Sequence, residues 1–387
     1  MRSITFYIVF GIIIAIYALI NFYIYKRAVQ SIPQSWNITA WFTAAFILIA
    51  ASYLSGRLLE KLWLSPVSDA LVWIGSIWLG MIVYFLIAIA IIDLIRAVNH
   101  FAPFFPQSFY ADYGKTKLIT GISVTALVMI ITTASFINAH TPAIREITLE
   151  IDKKSNGHDS LIVAIVSDIH LGTTFTKSRL EDMVARINSL EPDLILLAGD
   201  IVDEDLEPVI RNGLGESLKK LKARYGNYAV TGNHEYIGGV EKAVEFLTGH
   251  GIRFLRDSSV LINNSFYIVG REDRSIRSFT KKNRKDFKEL FNGIDLNLPV
   301  IMMDHQPHEL DMAAGSGADL QISGHTHHGQ LFPFNFITKL VYRISWGHTV
   351  IGNTHFYVSS GFGTWGPPLR SGNTPEIVNM KLKFTGN

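Results

Sequence analysis

Three stretches of more than 20 residues each contain no charged side chain, and all three lie within residues 1–140 of this 387-residue chain. They are residues 4–24 (ITFYIVFGIIIAIYALINFYI), 70–92 and 118–139. At ~1.5 Å of rise per residue, each is long enough to cross a hydrocarbon core ~30 Å thick. A shorter run, residues 38–54, starts polar and is expected as a fourth span. Several such segments in one region do not fit the buried helices of a soluble core. Residues 4–24 also exceed a signal-peptide core, and no small-residue cleavage site follows before Lys26.

Residues 1–140 therefore read as a bundle of about four transmembrane helices, and residues 141–387 as a globular domain. The flanking Lys and Arg are balanced to within one residue, so they set no orientation and leave the side of the domain open. No Asp, Glu, Lys or Arg sits in the middle of a run, which argues against an ion path or proton relay. The expectation is a multi-pass anchor in the cell membrane whose partner is the lipid bilayer.

A net charge of +2 without a dense basic block makes nucleic acid an unexpected partner. The absence of cysteine excludes disulfides, iron–sulfur clusters and thiolate zinc sites. Any metal must then be held by His, Asp, Asn or Glu.

In the second half, short apolar runs alternate with amphipathic stretches. LIVAIVSD (161–168), DLILLAGD (193–200) and YAVTGNHE (228–235) read as buried strands, with helices over 177–190 and around 214–223. That alternation predicts βαβ units and a largely parallel sheet. A hairpin is expected about Asn263–Asn264, and further strands at 300–305, 320–325, 356–361 and 376–384. So many strands suit two packed sheets with helices outside better than one doubly wound sheet.

Each buried run ends in residues that bind metals. The first delivers Asp168 and His170, the second Asp200, and the third Asn233, His234 and Glu235; later runs deliver His305 and the pair His325 and His327. Asp200 follows Asp168 by 32 residues and Asn233 follows Asp200 by 33, about one βαβ unit each. Adjacent parallel strands would bring these groups side by side at the carboxyl edge of the sheet. In an extended chain, Asp-x-His and His-x-His would point both side chains the same way. Singly, a Gly-Asp ending is a common turn and a lone His is usually solvated. Together these ligands exceed the needs of one ion and suit two divalent ions, Mn, Fe, Zn or Co, that share a carboxylate.

The blocks SDIHLG, AGDIVD, TGNHE, MDHQP and SGHTHHGQ, with the closing GFGTWGPPLRSGNTPEIV, resemble the calcineurin-like metallophosphoesterases, in particular their bacterial membrane-anchored branch. The resemblance covers residues 160–360 and implies a four-layer α/β/β/α sandwich. It places Asp168, His170 and His327 on a first metal, Asn233, His305 and His325 on a second, and Asp200 between them. His234 would sit over the site as a catalytic group that does not ligate. The implied reaction is hydrolysis of a phosphodiester or pyrophosphate by a metal-bridging hydroxide.

Four helices are a large tether for an enzyme that meets only soluble substrates, so an amphiphilic or lipid-linked phosphoester is the leading expectation. The alternatives are a phosphatase or nucleotide phosphodiesterase with a simple anchor, and, more remotely, a non-catalytic metal-binding membrane scaffold. His328 is expected as a solvated loop residue, Glu235 as a group that fixes geometry, and Arg271, Arg274 and Arg370 as exposed.

Overall fold

The computed structural model describes residues 2–386, and the chain divides into two compact units, residues 1–135 and 136–387. The first unit is helical: α1 (Arg2–Ser31), α2 (Thr39–Leu62), α3 (Pro66–Phe101) and most of α4 (Tyr113–Ala139). All four are long and apolar enough to cross a membrane. The run at 38–54 is the start of a full 24-residue helix, longer than its apolar stretch alone suggested. At 36 residues, α3 measures ~54 Å, well beyond a hydrocarbon core. Its start is set by Ser65, which caps Ser68 N, and by Pro66 in the first turn. Ile24 of α1 packs with Trp78, Ile82 and Ile89 of α3, and the Trp78 indole donates to Asn21 Oδ1 at 2.9 Å. That bond satisfies two polar groups inside an otherwise apolar contact.

The second unit is a two-sheet α/β sandwich of twelve strands. The first sheet has the order β1 (Ala143–Ile151), β12 (Glu376–Phe384), β2 (Ser160–Val166), β3 (Leu194–Leu197), β4 (Asn227–Ala229), β5 (Arg253–Phe254). The second has the order β10 (Gly347–Ile351), β11 (Thr354–Val358), β9 (Leu320–Ser323), β8 (Val300–Met303), β7 (Phe266–Gly270), β6 (Ser258–Ile262). Strands β2, β3 and β4 pair in parallel, as do β7, β8, β9 and β11. The hairpin β6–β7 turns at Asn263 and Asn264, whose φ of 46° and 54° suit asparagine in a tight turn.

Alternation along each strand builds the layers. Leu161, Val163 and Ile165 of β2 join Ile301, Met303, Leu320 and Ile322 in the core between the sheets. Ala164 and Val166 face the other way, onto Leu180, Met183 and Ile187 of α5 (Lys177–Ser189). On the far side, Val300 and Met302 pack under Phe287, Leu290 and Leu310. The result is the four-layer α/β/β/α arrangement. Its parallel strands are buried on both faces, which is why they read as unbroken apolar runs.

Two local expectations change. The run 228–235 is a strand only through Ala229, and Asn233 opens helix α6 (Asn233–Gly238), because the glycine at 232 ends the extended segment. The stretch 214–223 is helical only over Leu214–Leu218.

Candidate metal centre

Five strands of the two sheets end at one place. The chain leaves β2 through Asp168 and His170, β3 through Asp200, β4 through Gly232 into Asn233, β8 through His305, and β9 through His325 and His327. These side chains converge. Asp168, His170 and His327 bring their ligand atoms within 4.8 Å of one another, and so do Asp200, His305 and His325. Asp200 joins the two groups: its Oδ2 lies 3.0 Å from His305 Nε2 and 4.0 Å from His170 Nε2.

The backbone here is not extended. Asp168, His170, Asp200, His325 and His327 all have positive φ, between 44° and 71°. Non-glycine residues adopt this conformation uncommonly outside tight turns, and such strain gathers at functional sites. The turn also separates a pair that an extended chain would align: His325 faces Asp200 and His305, while His327 faces Asp168 and His170.

Two glycines are required by close approach. A Cβ at Gly232 would collide with the Asp200 carboxylate, and one at Gly324 with that of Asp168. Asp168 in turn accepts from His325 N at 2.9 Å, and Asp200 accepts from His234 N at 2.8 Å. Glu235 is fully buried and does not point at the cluster. Its carboxylate accepts from the backbone N–H groups of Asp200, Val202 and Gly232, tying β3 to α6.

The donor set fits a divalent cation. His305 Nδ1 lies 2.7 Å from the carbonyl of Ala198, which can only accept, so Nδ1 carries a proton and Nε2, 3.0 Å from Asp200 Oδ2, is the nitrogen left to meet a cation. The Oδ1 of Asn233 is buried with no hydrogen-bond partner, an acceptor that a cation would satisfy. Burial and the neighbouring His305 push His325 down to about 3, and burial with His170 holds His327 well below its ordinary value, so both rings are neutral near pH 7. Burial alone would raise Asp200, yet His305, His234 and His170 hold it well below the usual carboxylate range. Asp168 is raised, because burial outweighs its histidine neighbours.

One residue escaped the reading of the motifs. Asp203, the last residue of AGDIVD, places Oδ1 3.0 Å from His234 Nδ1 and 3.5 Å from His170 Nδ1. With His170 and His234 it forms a third group of closely spaced ligand atoms. Its position three residues after Asp200 was the only available signal. Burial opposes its ionisation, but the two histidines hold its carboxyl far below the usual range.

Three sequence expectations are overturned. His328 is buried rather than solvated, with Nδ1 2.9 Å from Ser345 Oγ. Arg370 is fully buried: its guanidinium donates to the carbonyls of Gly363 and Ser360, and Nη2 lies 3.3 Å from His327 Nδ1. Arg271 is buried against Asp304, the residue before His305 in the chain, and against Glu309. In each case a partner that the fold supplies offsets the cost of burying a polar group. Arg274 is exposed, as expected.

A sandwich that gathers histidines, carboxylates and an asparagine at its strand ends defines a hydrolase of the metal-dependent phosphoesterase class. The calcineurin-like phosphoesterase family model matches residues 161–329. An uncharacterized metallophosphoesterase of Aquifex aeolicus (strain VF5) is 33% identical over 247 residues, 63% of this chain and 93% of its own length. A transmembrane protein with metallophosphoesterase domain from Danio rerio is 29% identical over 375 residues, 92% of this chain and 83% of its own. An uncharacterized metallophosphoesterase of Bacillus subtilis (strain 168) is 29% identical over 262 residues, 65% of this chain and 89% of its own. The chain belongs to the calcineurin-like metallophosphoesterase family.

Proposed function

We propose that the protein hydrolyses a phosphodiester or pyrophosphate bond in an amphiphilic, lipid-linked substrate, using two divalent ions. The observation that carries the two-ion reading is Asp200, which stands between the Asp168–His170–His327 group and the His305–His325 group. Asp168, His170 and His327 would hold one ion, and Asn233, His305 and His325 the other, with Asp200 shared. Two ions so held, when bound, make water nucleophilic near neutral pH and neutralise phosphate charge.

The chain's own residues supply the rest. His234 is raised to about 9: burial would lower it, but Asp203 and Asp200 outweigh burial. In the metal-free chain it is therefore a cation near pH 7, and in the reaction it would stabilise charge on the phosphate oxygens and donate its proton to the leaving oxygen. Asp203 fixes the ring by holding Nδ1, so that Nε2 is the donating edge. Manganese, iron, zinc or cobalt would suit this donor set of imidazole and carboxylate. The four candidate membrane helices support a substrate that resides in a bilayer.

The test uses the full chain in lipid nanodiscs, stripped of metal and reloaded with manganese. It is offered bis-p-nitrophenyl phosphate, a soluble nucleoside diphosphate ester and a nucleoside-diphosphate lipid. Cleavage of the lipid with the highest kcat/KM supports the proposal. Equal or better turnover of the soluble ester would leave the helices as a simple anchor and remove the lipid reading.

A further inference from the structure

Helix α7 (Phe334–Val341, FNFITKLV) follows directly on the histidine loop, and none of its residues is buried. At ~100° per residue, Phe334, Ile337 and Val341 form one row and Phe336 and Leu340 the next, while Asn335, Thr338 and Lys339 take the opposite arc. Such a pattern normally marks a helix whose apolar face lies on a core. Here that face is open: exposure runs from 40% at Phe334 to 88% at Leu340.

The helix is also fixed to the candidate site at both ends. A Cβ at Gly329, two residues past His327, would strike the Phe334–Asn335 backbone. Beyond the other end, the Tyr342 ring lies 6.0 Å from that of His325.

We propose that this apolar face of α7 lies in the surface of the lipid bilayer and brings the metal centre against it. The proposal rests on the amphiphilic-substrate reading and deepens it. Two features favour lipid over another protein. First, β1 begins at Ala143, and the last candidate membrane helix ends at Ala139, so the chain itself keeps a bilayer within reach of this domain. Second, from Thr326 to Pro375 the chain has three basic residues and no acidic one. Of the three, Arg370 is buried and Arg343 pairs with Asp311, which leaves Lys339 on the polar arc beside the apolar face. An amphipathic helix with Phe and Leu on one face and a basic residue on the other settles about 5–10 Å into the headgroup boundary. Anionic lipids attract rather than repel such a segment.

Because the chain has no cysteine, a single introduced thiol labels one place only. The experiment takes full-length L340C and I337C on the apolar arc, with K339C on the polar arc as reference. Each carries an environment-sensitive nitrobenzoxadiazole dye and is reconstituted into phosphatidylcholine–phosphatidylglycerol vesicles with brominated acyl chains. The expected result is a blue-shifted emission and a severalfold greater loss of fluorescence at 340 and 337 than at 339. Quenching no greater than at 339 overturns the proposal. So does a blue shift without bromolipid quenching, since a second copy or another protein would then cover the face. Two apolar positions guard against one label disturbing the fold, which melting curves check.

No substrate enters this measurement, so it separates from the substrate reading. Quenching together with indifference to lipid-linked substrate keeps the docking and removes the amphiphile reading. Preference for the lipid-linked substrate without quenching does the reverse.

Discussion

His234 Nδ1 lies 3.0 Å from Asp203 Oδ1, and the backbone N–H of His234 donates to Asp200 at 2.8 Å. One histidine is thus anchored through its main chain to the carboxylate between the two ligand groups and through its ring to a second carboxylate beyond them. In the proposed reaction this arrangement would give a cationic group a fixed place without making it a ligand.

Replacing His234 with Ala should leave the metal content of the protein unchanged and lower kcat by about 10²–10⁴-fold, the usual range for removal of a general acid. Metal analysis and turnover of the same preparation decide it. The loss should be smaller for a p-nitrophenyl ester, whose leaving group needs little protonation, than for an alkyl ester. An equal loss for both would assign His234 to phosphate charge rather than to the leaving oxygen.

The Asp203→Asn variant should keep its metals and lose about 10–100-fold in activity, as when a group that orients a functional side chain is changed. The pH–rate profile discriminates orientation from mere structural damage. With the carboxylate gone, the limb that reports His234 deprotonation should move to lower pH. A uniform drop with no movement of the limb would leave Asp203 without the proposed role.

Stability of the metal-free protein should fall at alkaline pH. His234 has a folded pKa of about 9 against an ordinary 6.5, so the folded state binds the proton more tightly than the unfolded chain. This contribution is complete below about pH 6.5 and is lost as pH rises through about 9. Thermal melts of chelator-treated protein across that window should show the decline, and the Asp203→Asn variant should show a shallower one.

Arg370→Ala should destabilise the domain by about 3 kcal/mol, because the carbonyls of Gly363 and Ser360 would lose a charged donor in a buried place. Its effect on metal affinity should be secondary, through loss of the wall beside His327. Melting temperature and metal titration of one preparation separate the two effects.

Gly232→Ala should disable the site more than it unfolds the protein. The added methyl meets the Asp200 carboxylate, and overpacking of this kind costs about 1–3 kcal/mol. Displacement of Asp200 should weaken metal binding, measurable by titration calorimetry on the reconstituted protein.

Much of this architecture is local and therefore legible in one dimension. Strands buried on both faces must be apolar throughout, and membrane spans must be long and uncharged; each requirement leaves an unbroken run. The ligands could be placed because parallel strands bring their carboxyl ends to one edge, which turns a sequence interval into a spatial neighbourhood. Hence the convergence of Asp168, Asp200, His305 and the later histidines is legible in the sequence alone.

What the chain alone left undecided depends on contacts that only the folded chain creates. Whether Arg370 and His328 are buried turns on Gly363, Ser360 and Ser345 being there to receive them. Asp203 acquires its place only because α6 returns His234 to within 3.0 Å of it. The split between His325 and His327 follows from positive φ at both residues, a strain that neighbouring elements impose and that i, i+2 spacing cannot reveal. An amphipathic pattern at 334–341 is written in the residues, but only the folded domain shows that face left open among the described residues.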